Sequence, residues 1–71
     1  MNYKGFELYY NEYSSRISAF NKELVISFSM GLTECQRLSY IKLFGNNGDY
    51  IILESSMKRY INGYLKYIKE N

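Results

Sequence analysis

Seventy-one residues make one domain, 1–71, and leave no room for a second. The chain has no histidine and a single cysteine, Cys35. An internal disulfide, a zinc site of three or four ligands and a histidine general base are therefore all excluded. Formal net charge is +2 and unevenly placed: residues 1–54 carry −1, and residues 55–71 carry +3 through Lys58, Arg59, Lys66 and Lys69 against Glu70. At this length a hydrophobic core is close to the lower limit of self-sufficiency. With disulfide and metal staples missing, the expected staple is a homodimer or an obligate complex with a partner. Lys4, Glu7 and Glu12 interrupt any signal-peptide pattern, and the longest apolar run is Tyr50 to Leu53. The expectation is a cytosolic protein, with no membrane segment and a lone thiol in a reducing compartment.

The first thirty residues read as strands. Phe6, Leu8 and Tyr10 share one parity, with Glu7 and Tyr9 on the other. Asn11 to Ser15 is polar enough to turn. Ile17 and Ala19 then lie opposite Arg16, Ser18 and Phe20, and Asn21-Lys22 offers a two-residue turn. Leu24, Ile26, Phe28 and Met30 alternate with Val25, Ser27 and Ser29. This predicts a three-stranded antiparallel meander over about 3–29. The competing reading is a helix, because Phe6, Tyr10, Tyr13, Ile17, Phe20 and Leu24 also fall at heptad spacing. Serines at 14, 15, 27 and 29 favour strands.

Thr33-x-x-Gln36 is a capping-box pattern, and Gly45 suits a helix end, so 33–44 is predicted as a helix. Cys35, Leu38 and Ile41 form its inward stripe, Gln36, Arg37 and Lys42 face water, and Tyr40, Leu43 and Phe44 need another cover. Asn46 to Asp49 reads as a loop, and Tyr50 to Leu53 as a short strand or a first helical turn. A second helix follows to residue 69, starting at 50 or at 55, with Met57, Ile61, Leu65 and Ile68 as its apolar stripe. Asn62-Gly63 inside it competes as a hairpin turn. As a helix residue, Gly63 marks a bend or a close approach of another backbone. No internal repeat is visible. The fold class is α+β, a three-stranded sheet against two helices.

The segments Tyr3-Lys4-Gly5-Phe6-Glu7-Leu8, Ile17-Ser18-Ala19-Phe20, Leu24-Val25-Ile26-Ser27 and Leu32-Thr33-Glu34-Cys35 outline a meander followed by a capped helix. In that outline, residues 3–44 resemble the DNA-binding arm domains of phage integrases and assorted small phage and mobile-element proteins, some of them inhibitors of bacterial defence enzymes of the anti-CRISPR kind. The resemblance implies a small α+β viral protein that binds another macromolecule. Glu7, Glu12 and Glu23 depart from the basic strands of arm domains, which shifts the expectation from DNA towards protein. Asn, Lys, Ile, Tyr and Phe make up nearly half of the chain, while Ala occurs once and Pro never, as A/T-rich coding would give.

No residue pattern supports catalysis or a cofactor. The carboxylates are scattered, Gly45-Asn46-Asn47-Gly48-Asp49 lacks the Lys-Ser/Thr of a phosphate loop, and Cys35, without a histidine, reads as a small buried hydrophobe. Catalytic and metal residues are expected to be none. Two surfaces carry the functional expectation. Tyr3 and Tyr9 on the open sheet face, with Tyr60, Tyr64 and Tyr67 on the last helix, are candidates for binding a larger protein. Lys58, Arg59, Lys66 and Lys69 beside those tyrosines are the alternative, a nucleic-acid surface. The bland account is that the tyrosines complete a small core and the lysines solvate its outside. The leading expectation is a non-enzymatic inhibitor or adaptor that occupies a site on a larger protein.

Overall fold

Alternation of apolar and polar residues decides the first half of the molecule. The computed structural model describes residues 1–70. It has four strands, β1 (Asn2–Tyr3), β2 (Phe6–Asn11), β3 (Arg16–Asn21) and β4 (Ile26–Gly31), then helices α1 (Glu34–Phe44) and α2 (Gly48–Glu70). The strands form one antiparallel sheet in chain order. Leu8, Ala19 and Phe28 make one inward row and Tyr10, Ile17 and Met30 the next, while Tyr9, Ser18 and Ser29 line up on the reverse face. Residues 6–24 are thus strands and turns, and the competing helix is not formed.

The sheet has one strand more than the sequence predicts. Lys4-Gly5, both with positive φ, close a two-residue hairpin that folds Asn2–Tyr3 against Glu7–Phe6, the backbone that such tight turns require. The following two turns share one design: the first falls within Asn11 to Ser15 as expected, and the second is four residues long instead of two. Asn11 Oδ1 accepts from the Tyr13 and Ser14 amides, and Asn21 Oδ1 accepts from the Leu24 amide. The fourth residue of each loop, Ser15 or Val25, then takes positive φ. Leu24 and Val25 therefore belong to a turn, not to the strand in which the alternation placed them. These turns set the strand starts at Phe6, Arg16 and Ile26, a ten-residue period that residue identities do not display.

α2 closes the inner face. Leu53, Met57 and Ile61, four apart on one side of the helix, are buried against Phe6, Leu8, Ile17 and Ala19. Each such large side chain contributes about 1.5–3 kcal/mol through burial. Tyr60 and Tyr64 set their rings edge-on to Phe28, with centroids 4.8 and 5.2 Å away. The helix starts at Gly48, so Tyr50 to Leu53 is helical. It also runs unbroken through Asn62-Gly63, excluding the hairpin there. Asn62 explains itself: its Oδ1 accepts from Tyr3 Oη at 2.9 Å and Lys4 Nζ at 2.8 Å, tying the first hairpin to the helix. No helix among the described residues is long and apolar enough to cross a membrane.

α1 is placed differently. Its capping box forms as read, with Gln36 N donating to Thr33 Oγ1 and Thr33 N donating to Gln36 Oε1, and Gly45 ends it at positive φ. Yet it packs on α2 rather than on the sheet, and no residue in it is buried. The radius of gyration, 13.1 Å, exceeds the roughly 11 Å of a compact domain of this length.

Two glycines of α2 make opposite predictions. At Gly48 a Cβ would run into the Tyr40 carbonyl, whereas at Gly63 it would meet nothing; the expected close approach of another backbone at Gly63 is absent. We expect Gly63→Ala to stabilise the fold by about 0.5–1 kcal/mol, raising Tm by roughly 4–8 °C per kcal/mol at this size. Gly48→Ala should lower Tm, because α1 must move away. Thermal melts by circular dichroism test both, and a destabilised Gly63→Ala would contradict the open site.

Candidate functional site

The junction of sheet, α1 and α2 is organised by one buried acid. Asp49, in the first turn of α2, is 5% exposed. Its Oδ2 accepts from Tyr10 Oη of β2 at 2.5 Å and from Ser15 Oγ of the following turn at 3.3 Å, and its Oδ1 accepts from the Tyr50 amide at 2.9 Å. Arg37 Nε of α1 approaches Oδ2 at 3.5 Å. Burial alone would raise the Asp49 pKa. The bonds from Tyr10, Tyr50 and Ser15 and the Arg37 charge outweigh it and hold the carboxyl below its ordinary 3.8. Burial, together with the neighbouring Asp49 charge, pushes the Tyr10 hydroxyl up to about 12. A carboxylate saturated by donors and a tyrosine that keeps its proton are poor acid–base partners and good fasteners. Sequence reasoning missed this set. Asp49 stood among scattered acids, and Arg37 was assigned to water but is half-buried.

What the fastener holds is a helix of mixed polarity with little cover. Arg37, Tyr40 and Ile41 are half-buried, with the α1 backbone at Tyr40–Ile41 against Gly48. Leu38 is 56%, Leu43 71% and Phe44 53% exposed. At 100° per residue these three point in well-separated directions. Ile51 at the start of α2 is also exposed, and Phe44 stacks on Tyr40 with centroids 6.4 Å apart. The expected inward stripe is corrected accordingly: Cys35 and Leu38 face out, and Cys35 is an exposed free thiol rather than a buried hydrophobe. Their side of α1 is turned away because the helix meets only α2.

The predicted tyrosines do not form one surface. Tyr9, 64% exposed, lies on the reverse of the sheet with Phe20. Tyr3 is on the helix side instead, half-buried, with its ring 5.5 Å from Lys4 Nζ and 5.3 Å from Lys58 Nζ. Tyr60 and the half-buried Tyr64 pack on Phe28 near the opposite edge, and Tyr67 is exposed further along α2. Among the cations, Lys58 is paired with Glu54 at 2.9 Å and leans over Tyr3. Arg59, Lys66 and Lys69 are exposed on α2. Among the described residues no three Cys, Asp or Glu side chains gather as a metal site would need.

Because Asp49 has a depressed pKa in the fold, the unfolded chain binds more protons in acid. Its stabilisation is present above the ordinary Asp pKa and is lost as pH falls through the lower, folded one. We expect Asp49→Asn to cost about 1–3 kcal/mol at neutral pH and to flatten the acid limb of stability. Urea unfolding at pH 7 and in the acid range tests this; an unchanged pH slope would show that Asp49 is not the titrating fastener. No family of known proteins, curated protein or solved structure matches the chain.

Proposed function

We propose that the chain is a non-enzymatic protein-binding module of the inhibitor or adaptor type, acting by occupancy in the cytosol of a host cell, and that α1 with the start of α2 is the part that enters its target. The carrying observation is that α1 buries no residue of its own while exposing Leu38, Leu43 and Phe44 in different directions. An isolated helix of this length is marginal in water, and large apolar side chains left exposed on more than one side of it mark a surface for a partner. A flat partner would cover one flank; a groove covers several, in the helix-in-groove mode of recognition. Phage or mobile-element origin, including an anti-defence role, fits a short chain that must act by blocking a larger protein.

A second reading has one observation in its favour. Lys4 joins the C-terminal cations through Asn62, so Lys4, Lys58, Arg59, Lys66 and Lys69 are carried on or beside the same helix. That set is enough for weak, steeply salt-dependent binding of single-stranded nucleic acid.

Capture from host lysate by the tagged chain and by a Leu38→Ser/Leu43→Ser/Phe44→Ser variant, with and without nuclease, separates the two. We expect a stoichiometric protein that survives nuclease and binds the variant at least tenfold more weakly, a factor reached at about 1.4 kcal/mol if one or two of the three side chains are hot spots. The variant should keep the fold by circular dichroism, with a melting temperature lowered only by the lost Tyr40 stacking and the weaker helix propensity of α1, and Tyr9→Ala should retain the partner. Undiminished capture by the triple variant would remove α1 from the binding site. Recovery of nucleic acid alone would replace the protein reading with the second one.

A further inference from the structure

The sheet ends in two unlike edges. β1 is two residues long and is stopped by the Lys4-Gly5 turn, which makes a poor template. β4 offers a full six-residue edge with no charge, no proline and no bulge in Ile26-Ser27-Phe28-Ser29-Met30-Gly31. Natural proteins rarely leave such an edge bare, because every second residue presents an unpaired N–H and C=O. α1 does not shield it, since that helix packs on α2.

The sequence of this edge indicates what covers it. Read outward from Phe28 within the strand, Ser27 matches Ser29 and Ile26 matches Met30. A strand of this kind is its own antiparallel complement, with apolar opposite apolar and hydroxyl opposite hydroxyl. We propose that two copies of the chain pair through β4, antiparallel about Phe28, to make one continuous eight-stranded sheet. A two-fold axis normal to the sheet keeps both α2 helices on the same face. It sets Ile26 opposite the second copy's Met30, and Ser27 opposite its Ser29. Ile26, Phe28 and Met30 are each half-buried in the single chain, and Tyr60 beside them is 53% exposed; all four lie on the side the second copy would cover. The pairing is isologous and closes after two copies, because the short β1 edge does not propagate it. It also supplies the missing staple of a 71-residue chain without using α1.

Sedimentation equilibrium across the micromolar range is the test, with three proteins compared. The 8.5 kDa chain should sediment at twice that mass. A Ser27→Lys/Ser29→Lys variant should dimerise roughly tenfold more weakly, because the proposed register sets like charges directly opposite each other at two symmetric places. A Ser27→Lys/Ser29→Glu variant should regain the dimer, since the same register then sets opposite charges face to face. Both serines are exposed on the reverse face; Ser29 Oγ accepts from Arg16 Nε and Nη2 at 3.3 and 3.1 Å, so the same two variants are also compared in an Arg16→Gln background, and circular dichroism checks that each keeps the fold. A monomeric wild type overturns the proposal. So does a dimer indifferent to the paired lysines, and recovery absent from the Lys/Glu variant overturns the register about Phe28.

Discussion

The position of α1 depends on one carboxylate. Asp49 is where the second strand, the turn after it, the short helix and the long helix are all within reach of one side chain. A buried acid is costly to desolvate and is tolerated only when its lone pairs are filled. Here they are filled by groups from different elements, so the acid fixes how those elements sit relative to one another. Removing any donor would leave the charge under-satisfied, which makes the arrangement selective for one geometry. Arg37 to Asp49 is also the one ion pair joining α1 to the remainder among the described residues, so the aim of that helix is set electrostatically where packing contributes least.

The molecule divides into a part that is finished and a part that is not. The sheet and α2 enclose Phe6, Ile17, Leu53, Met57 and Ile61 almost completely, and Phe28 is clasped by Phe6, Tyr60 and Tyr64. That half follows ordinary rules for an antiparallel sheet with one covered face. α1 breaks them, presenting leucine and phenylalanine to water after a well-made cap. A helix start specified this carefully, by Thr33 and Gln36, is maintained as a helix in the free chain even though little packs against it. Preformed helices of this kind bind without first having to be ordered, and so retain more of the contact energy as affinity.

Much of the sheet was legible because period-two alternation is a local signal. Phe6, Leu8, Ile17 and Ala19 all fall inward where alternation puts them, and the Thr33 cap and the Met57–Ile61 stripe hold equally well. Three features resisted. The Asn21 turn ends with Val25 at positive φ, where a β-branched residue gives no signal of it, so alternation starts the last strand too early. Asn62-Gly63 imitates a turn, and only the contact of Asn62 with Tyr3 and Lys4, some sixty residues away, shows why a helix carries it. The Asp49 cluster joins residues 10, 15, 37 and 49, a constellation with no sequence spacing to find it by; an acid in the first turn of a helix was the sole local hint. The tyrosines misled for a related reason. Composition counts them together, whereas pleat and register send Tyr3 and Tyr9 to opposite faces.

The two incomplete surfaces, the β4 edge and the α1 helix, are of different kinds, and this bears on how the molecule works. An edge strand offers directional hydrogen bonds to any extended chain, with selectivity coming from the side chains beside it; in the proposed pairing a second copy's β4 meets that need. α1 offers Leu38, Leu43 and Phe44 on separate sides among exposed polar groups such as Gln36 and Lys42, an arrangement that a shaped cavity selects better than a flat surface does. A second copy on β4 would leave both α1 helices uncovered, because they follow α2 and not the strand edge. A dimer joined there presents two identical helices on one rigid sheet. If a target carries two grooves at matching separation, the second engagement is intramolecular and avidity rises with no new contact. If it carries one, the second helix stays exposed to water, and its apolar residues gain nothing from the pairing. The spacing of the helices across the β4 seam is therefore the quantity that relates the two surfaces, and it is set by the register about Phe28.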